Sequence, residues 1–195
     1  MRALLVFLVA IFLPTAAFAH AGHGDASGLV HGFMHPVGGL DHILAMMAVG
    51  VFAAVLGGRA LWLVPLSFVG MMLAGFALGL AGVAVPFVEV GIALSSIVIG
   101  GAAAFGRPMP VAAAMSLVGV FAVFHGHAHG AEMPQSVAGL EYAAGFVVAT
   151  ALLHAAGIGV AAGVASFLGR WGKVAARFGG VAFAVGGVGV LTGWF

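Results

Sequence analysis

Six apolar runs, at about residues 38–56, 60–82, 86–105, 109–126, 137–164 and 176–194, leave this chain few folds to choose from. A helix of about 20 apolar residues crosses the roughly 30 Å hydrocarbon core of a bilayer. Inside lipid every backbone N–H and C=O must be satisfied internally, which leaves helices or closed barrels. The chain is 64% hydrophobic and only 6% charged, whereas charged residues make up about a quarter of an ordinary soluble domain. Water cannot be the solvent for such a surface. We therefore expect an all-α membrane protein, a six-transmembrane-helix bundle following a cleavable N-terminal signal peptide. The lipid bilayer is its first partner.

The start of the chain has its own pattern. Met1-Arg2, an apolar stretch from Ala3 to Leu13, then Pro14 and Ala17-Phe18-Ala19 reproduce the charged start, short apolar core and small-residue cleavage site of a secretory signal. An uncleaved first helix is the alternative. The expected division is residues 1–19 as signal peptide, 20–34 as a short periplasmic tail carrying histidines, and 35–195 as the membrane domain. Gly57-Gly58-Arg59, Gly82 to Pro86, Gly106-Arg107-Pro108, the histidine-rich stretch near residue 130 and Arg170 to Arg177 separate the runs, with Gly and Pro marking turns. With an exported N-terminus, the breaks on the inner side hold Arg59, Arg107, Arg170, Lys173 and Arg177, and those on the outer side hold no Lys or Arg. This obeys the positive-inside rule. It predicts a bacterial inner membrane location with both mature termini periplasmic. Gly75-x3-Gly79, Gly159-x3-Gly163 and Gly189-x3-Gly193 have the spacing of close helix contacts in membranes.

Two clusters carry the chemistry. His35-Pro36-Val37-Gly38-Gly39-Leu40-Asp41-His42 stands at the mouth of the first run, and Phe124-His125-Gly126-His127-Ala128-His129-Gly130-Ala131-Glu132 closes the fourth. Ionisable groups are scarce in membrane helices unless they are used. In a straight helix His35 and His42 lie about 10 Å apart along the axis, too far to share an ion. Pro36 and Gly38-Gly39 permit a break that folds His35 back over Asp41 and His42, and broken helices lining a cavity are where transporters place ion sites. His125 and His129 meet on one helical face, with Glu132 a turn further on. His127 points away. Both clusters fall on the outer side. Secondary candidates are Met46 one turn below His42, Glu89 and Glu141 near outer helix ends, His154 deeper in the fifth run, and His20 and His23, which can chelate at a freed N-terminus.

Composition narrows the function classes. A net charge of +1 with no large basic patch excludes nucleic acid as a partner, and the absence of cysteine excludes disulfides, zinc-thiolate sites and thiol nucleophiles. Imidazole with carboxylate suits borderline divalent ions such as nickel, cobalt and zinc, and the nine scattered methionines leave copper(I) open.

The ordered pair His35-x5-Asp41-His42 and Phe124-His125-Gly126-x-Ala128-His129-Gly130-x-Glu132 resembles the HupE/UreJ family over the whole chain. The resemblance implies a small bacterial permease taking up Ni2+ or Co2+ for hydrogenase or urease maturation, with no permanent cofactor. It makes His35, Asp41, His42, His125, His129 and Glu132 the metal-handling set. Two rivals belong to other classes. A membrane-embedded zinc metallohydrolase would use Asp41 or Glu132 as base, but the chain lacks the His-Glu-x-x-His motif of zinc proteases. A metal-binding sensor or accessory protein would bind without transporting. The divalent ion itself is the expected partner, with a homo-oligomer or a periplasmic or outer-membrane metal supplier open beside it.

Overall fold

The computed structural model describes residues 28–194, all of whose regular elements are helical. The expected signal segment and His20 and His23 lie outside the described residues. The helices are α1 (Gly28–Gly38), α2 (Leu40–Leu56), α3 (Ala60–Leu80), α4 (Val88–Phe105), α5 (Val111–Ala131), α6 (Gly139–Leu168) and α7 (Gly172–Leu191), with a 3-10 turn at Gly169–Trp171 before α7. Helices α3 to α7 are each long and apolar enough to cross a bilayer, and α1 and α2, bent by 82° at the break between them, reach that length and hydropathy together, as a broken span or a re-entrant pair. This is a multi-pass membrane protein. Helix α6, at 30 residues, measures about 45 Å and outreaches a bilayer core of about 30 Å.

The first run begins earlier than its hydropathy suggests. Residues 28–34, assigned to a tail, are the first turns of α1. Gly28, Gly32 and Pro36 are buried at intervals of four, one helical face turned inward. That face meets α6 through glycines. A Cβ on Gly32 would overlap the Tyr142 carbonyl, and one on Gly145 the Leu29 carbonyl. Small residues spaced four apart, rather than hydropathy, define this helix.

Helix α2 is the central element, in contact with α3, α4, α6 and α7. Leu44, Ala45, Ala48, Val49, Val51, Phe52 and Ala53 are all buried, so its apolar surface is buried on every side. The most extensive pairing is α3 on α5. A Cβ on Gly126 would overlap the Met72 carbonyl, and one on Gly75 the Val123 carbonyl. Lipid supplies no hydrophobic drive between helices, so this backbone proximity carries the van der Waals attraction. Of the glycine spacings read from sequence, Gly75 and Gly79 lie in this contact, whereas Cβ atoms on Gly159 and Gly163 would meet nothing.

The α2–α3, α4–α5 and α6–α7 connections share one end of the bundle. There Arg177 donates to the Phe105 carbonyl, and Arg59, Arg107 and Arg170 are exposed. The α1–α2 break and the α3–α4 and α5–α6 connections lie at the opposite end, together with both histidine clusters.

Candidate metal centre

Three helices deliver imidazoles to one point. His35 comes from the end of α1, His42 from the first turn of α2, and His125 and His129 from the last turns of α5. Pro36 has no N–H to give the Gly32 carbonyl, which weakens α1 just before it stops. Gly39 then takes an extended conformation, and the chain turns. A Cβ on Gly39 would stand 2.6 Å from Asp41 Oδ1 and 3.2 Å from His42 Nδ1, so a larger residue would crowd the pair that follows. The turn brings the rings of His35 and His42 to 5.5 Å between centroids, against the roughly 10 Å axial separation of a straight helix.

The rings form a connected group. Centroids lie 4.7 Å apart for His35 and His129, 5.3 Å for His42 and His129, and 4.9 Å for His42 and His125. One ring nitrogen each from His35, His42 and His129 falls within 4.8 Å of the other two. Nitrogens bound to one ion at about 2.1 Å stand roughly 3 Å apart. Small rotations of the rings, of about 1–2 Å at the nitrogens, would close the shell.

The hydrogen bonds fix where the lone pairs are. Asp41 Oδ1 accepts the His42 backbone N–H at 2.8 Å and lies 3.0 Å from His42 Nδ1. A carboxylate only accepts, so Nδ1 carries the proton and Nε2 the free lone pair. Ser95 Oγ donates to the Ile92 carbonyl and lies 2.9 Å from His125 Nε2. Its single proton being committed, Ser95 accepts from His125 Nε2–H and leaves Nδ1 bare. His42 Nε2, His125 Nδ1 and both nitrogens of His129 are buried with no hydrogen-bond partner among the described residues. Buried polar atoms are nearly always paired. A knot of unpaired imidazole nitrogens fits a cation that takes lone pairs.

Aromatic rings hold the group in place. Phe146 stacks on His129 with centroids 4.5 Å apart and an interplanar angle of 7°. Tyr142 lies edge-on to His35 at 6.3 Å and to His129 at 6.4 Å. Above the rings, a cavity of about 280 Å³ is lined by His35, Gly39, Asp41, His42, Glu89 and Glu132, among others. Glu132 Oε2 stands 3.7 Å from His35 Nε2. Three carboxylates around one mouth, two of them exposed, give it a negative field that attracts cations.

The remaining sequence candidates lie elsewhere. His127 turns outward, its Nε2 bonding the Val83 carbonyl at 2.8 Å. Met46 is fully buried in the apolar core. Glu141 is exposed at the start of α6, beside Gly28. His154 is buried further along α6. Sequence reasoning missed Tyr142 and Phe146, and it did not single out Ser95, one of several hydroxyls common in membrane helices. Tyr142 is the only tyrosine of the chain, next to Glu141. Neighbours on a helix diverge by about 100°, and it is the tyrosine, not the glutamate, that faces inward. Ser95-Ser96, a tandem of hydroxyls within an apolar run, was the available signal for Ser95.

A family model described as "HupE / UreJ protein" matches residues 8–190. The chain is similar to "Protein HupE" of Rhizobium leguminosarum bv. viciae, 46% identical over 187 residues, which is 95% of either chain. No solved structure matches.

Proposed function

The chain belongs to the HupE/UreJ family, and from that premise we propose that it is a permease for Ni2+ or Co2+ whose pathway begins at the histidine cluster. One observation carries this reading: unpaired, buried imidazole nitrogens from α2 and α5 converge with His35 beneath a mouth lined by Asp41, Glu89 and Glu132. The ion is cargo. His35, His42 and His129 would take it first, with His125 beside them, Asp41 orienting His42, and Glu132 attracting the ion at the rim. Nitrogen ligands favour borderline transition ions over magnesium and calcium, which take oxygen.

The arginine-bearing end faces the cytoplasm in this reading, and the cluster and both termini face the periplasm across a bacterial inner membrane. The membrane potential then drives uptake. Inward movement of a divalent charge gains about 4.6 kcal/mol per 100 mV, and the sequence contains nothing resembling a nucleotide-binding loop. The protein carries its ion and catalyses no reaction. The resemblance extends the proposal to supplying a hydrogenase or urease.

The test is radiolabelled nickel accumulation in nickel-starved cells, comparing wild type with His42→Ala at equal membrane expression. Accumulation in wild type that is lost in the variant supports the permease. No accumulation of nickel or cobalt in wild type sinks it and moves weight to a metal sensor.

A further inference from the structure

A fifth inward-facing imidazole lies deeper in the bundle. His154 on α6 is fully buried, and neither ring nitrogen has a hydrogen-bond partner among the described residues. The Phe68 ring of α3 meets His154 at a right angle, with centroids 5.2 Å apart. That same ring lies 5.6 Å from His125. One aromatic side chain thus touches both the outer cluster and the deeper histidine. One turn outward on α6, Thr150 donates to Met72 Sδ at 3.7 Å. One turn further inward, about 6 Å along the axis, Ile158 lines a cavity of about 590 Å³. Ala54, Ala161, Arg107 and Arg177 also line it, at the arginine-bearing end. The backbone at His154 is fixed, because a Cβ on Gly50 of α2 would overlap the His154 carbonyl.

A histidine kept for helix packing would hydrogen-bond across to a neighbour, and these two nitrogens do not. We infer that His154 is an inner ligand for the transported divalent cation, a one-imidazole station between the outer histidine cluster and the inner cavity, with the Phe68 ring touching both His154 and the outer cluster. The inference rests on the uptake reading. A single imidazole holds the ion more weakly than the cluster does. Conduction needs this, since a pathway must bind well enough to admit an ion and weakly enough to release it.

Binding and uptake are measured separately, so that each idea can fail alone. Full-length protein in nanodiscs is titrated with Co2+, read by its visible absorption. The variant with His35, His42, His125 and His129 all replaced by Ala lacks the imidazoles of the outer site. It should retain Co2+ binding at least tenfold weaker than wild type, and adding His154→Gln should abolish it. No residual binding, or residual binding that survives His154→Gln, overturns the inference. In vesicles, His154→Gln alone should slow uptake at least tenfold while outer-site affinity stays within twofold. Unchanged uptake also overturns it. His154→Leu guards against misfolding: it should melt no lower than wild type and be as slow as the glutamine variant, whereas a packing histidine would make it melt lower. If wild type transports nothing yet the His154-dependent binding appears, the permease reading fails and the inner site stands.

Discussion

Replacing Asp41 should weaken metal binding without removing a ligand. Its Oδ1 accepts from His42 Nδ1 at 3.0 Å and so turns Nε2 toward the cluster. An ion on Nε2 would stand about 7 Å from that oxygen, counting the hydrogen bond, the ring and a metal–nitrogen bond of about 2.1 Å. At an effective dielectric between about 20 and 80, the carboxylate attracts a divalent ion by about 5 to 1 kcal/mol. The Asp41 side chain is 24% exposed, which places the effect toward the lower value. Loss of such an orienting partner typically costs about 10–100-fold in affinity. Asp41→Asn keeps an acceptor and loses the charge, so it should weaken Ni2+ binding about tenfold. Asp41→Ala loses both and should weaken it about 100-fold, or about 2.7 kcal/mol. Calorimetric titration of the purified protein in nanodiscs measures this. Affinity within twofold of wild type in Asp41→Ala would refute the orienting role. A loss as large as that of His42→Ala would make Asp41 a direct ligand instead.

Other perturbations follow from the same geometry. Gly126→Ala drives a methyl into the Met72 carbonyl and should cost about 1–3 kcal/mol, seen as a lower melting temperature in detergent; Gly159→Ala, which meets nothing, should melt as wild type does. Ser95→Ala strands the buried His125 Nε2–H and should cost about 1–3 kcal/mol of stability in denaturant titration. Glu132→Gln should weaken binding no more than roughly tenfold, and the loss should shrink as salt is raised, because the Glu132 side chain is 54% exposed. His127→Ala should leave Ni2+ affinity unchanged, since its Nε2 already serves the Val83 carbonyl.

The membrane class and the spans were legible because lipid makes length and hydropathy almost sufficient. The break that folds His35 over His42 was legible too, from Pro36 and two glycines set between residues that need to meet. Which helix is central was not. Every run is apolar on all faces, so hydrophobic periodicity cannot show that α2 is the enclosed one or that α6 meets α1. Gly32 and Gly145 on the α1–α6 contact, and Gly50 and Gly157 on the α2–α6 contact, carry that information, and spacing alone does not separate them from Gly159 and Gly163, whose Cβ atoms would meet nothing. Glu141 and Tyr142 illustrate the same limit. Charge drew attention to the residue that faces outward, while the ring of the tyrosine beside it packs edge-on against the cluster.

The most direct test is uptake by the purified protein. Vesicles are loaded with a nickel-sensitive dye, an inside-negative potential is imposed, and Ni2+ is added outside. The account predicts dye quenching that requires the protein and the potential, is competed by Co2+ but not by Mg2+, and is lost in His129→Ala. Tight Ni2+ binding by the same protein with no quenching under any potential would contradict it.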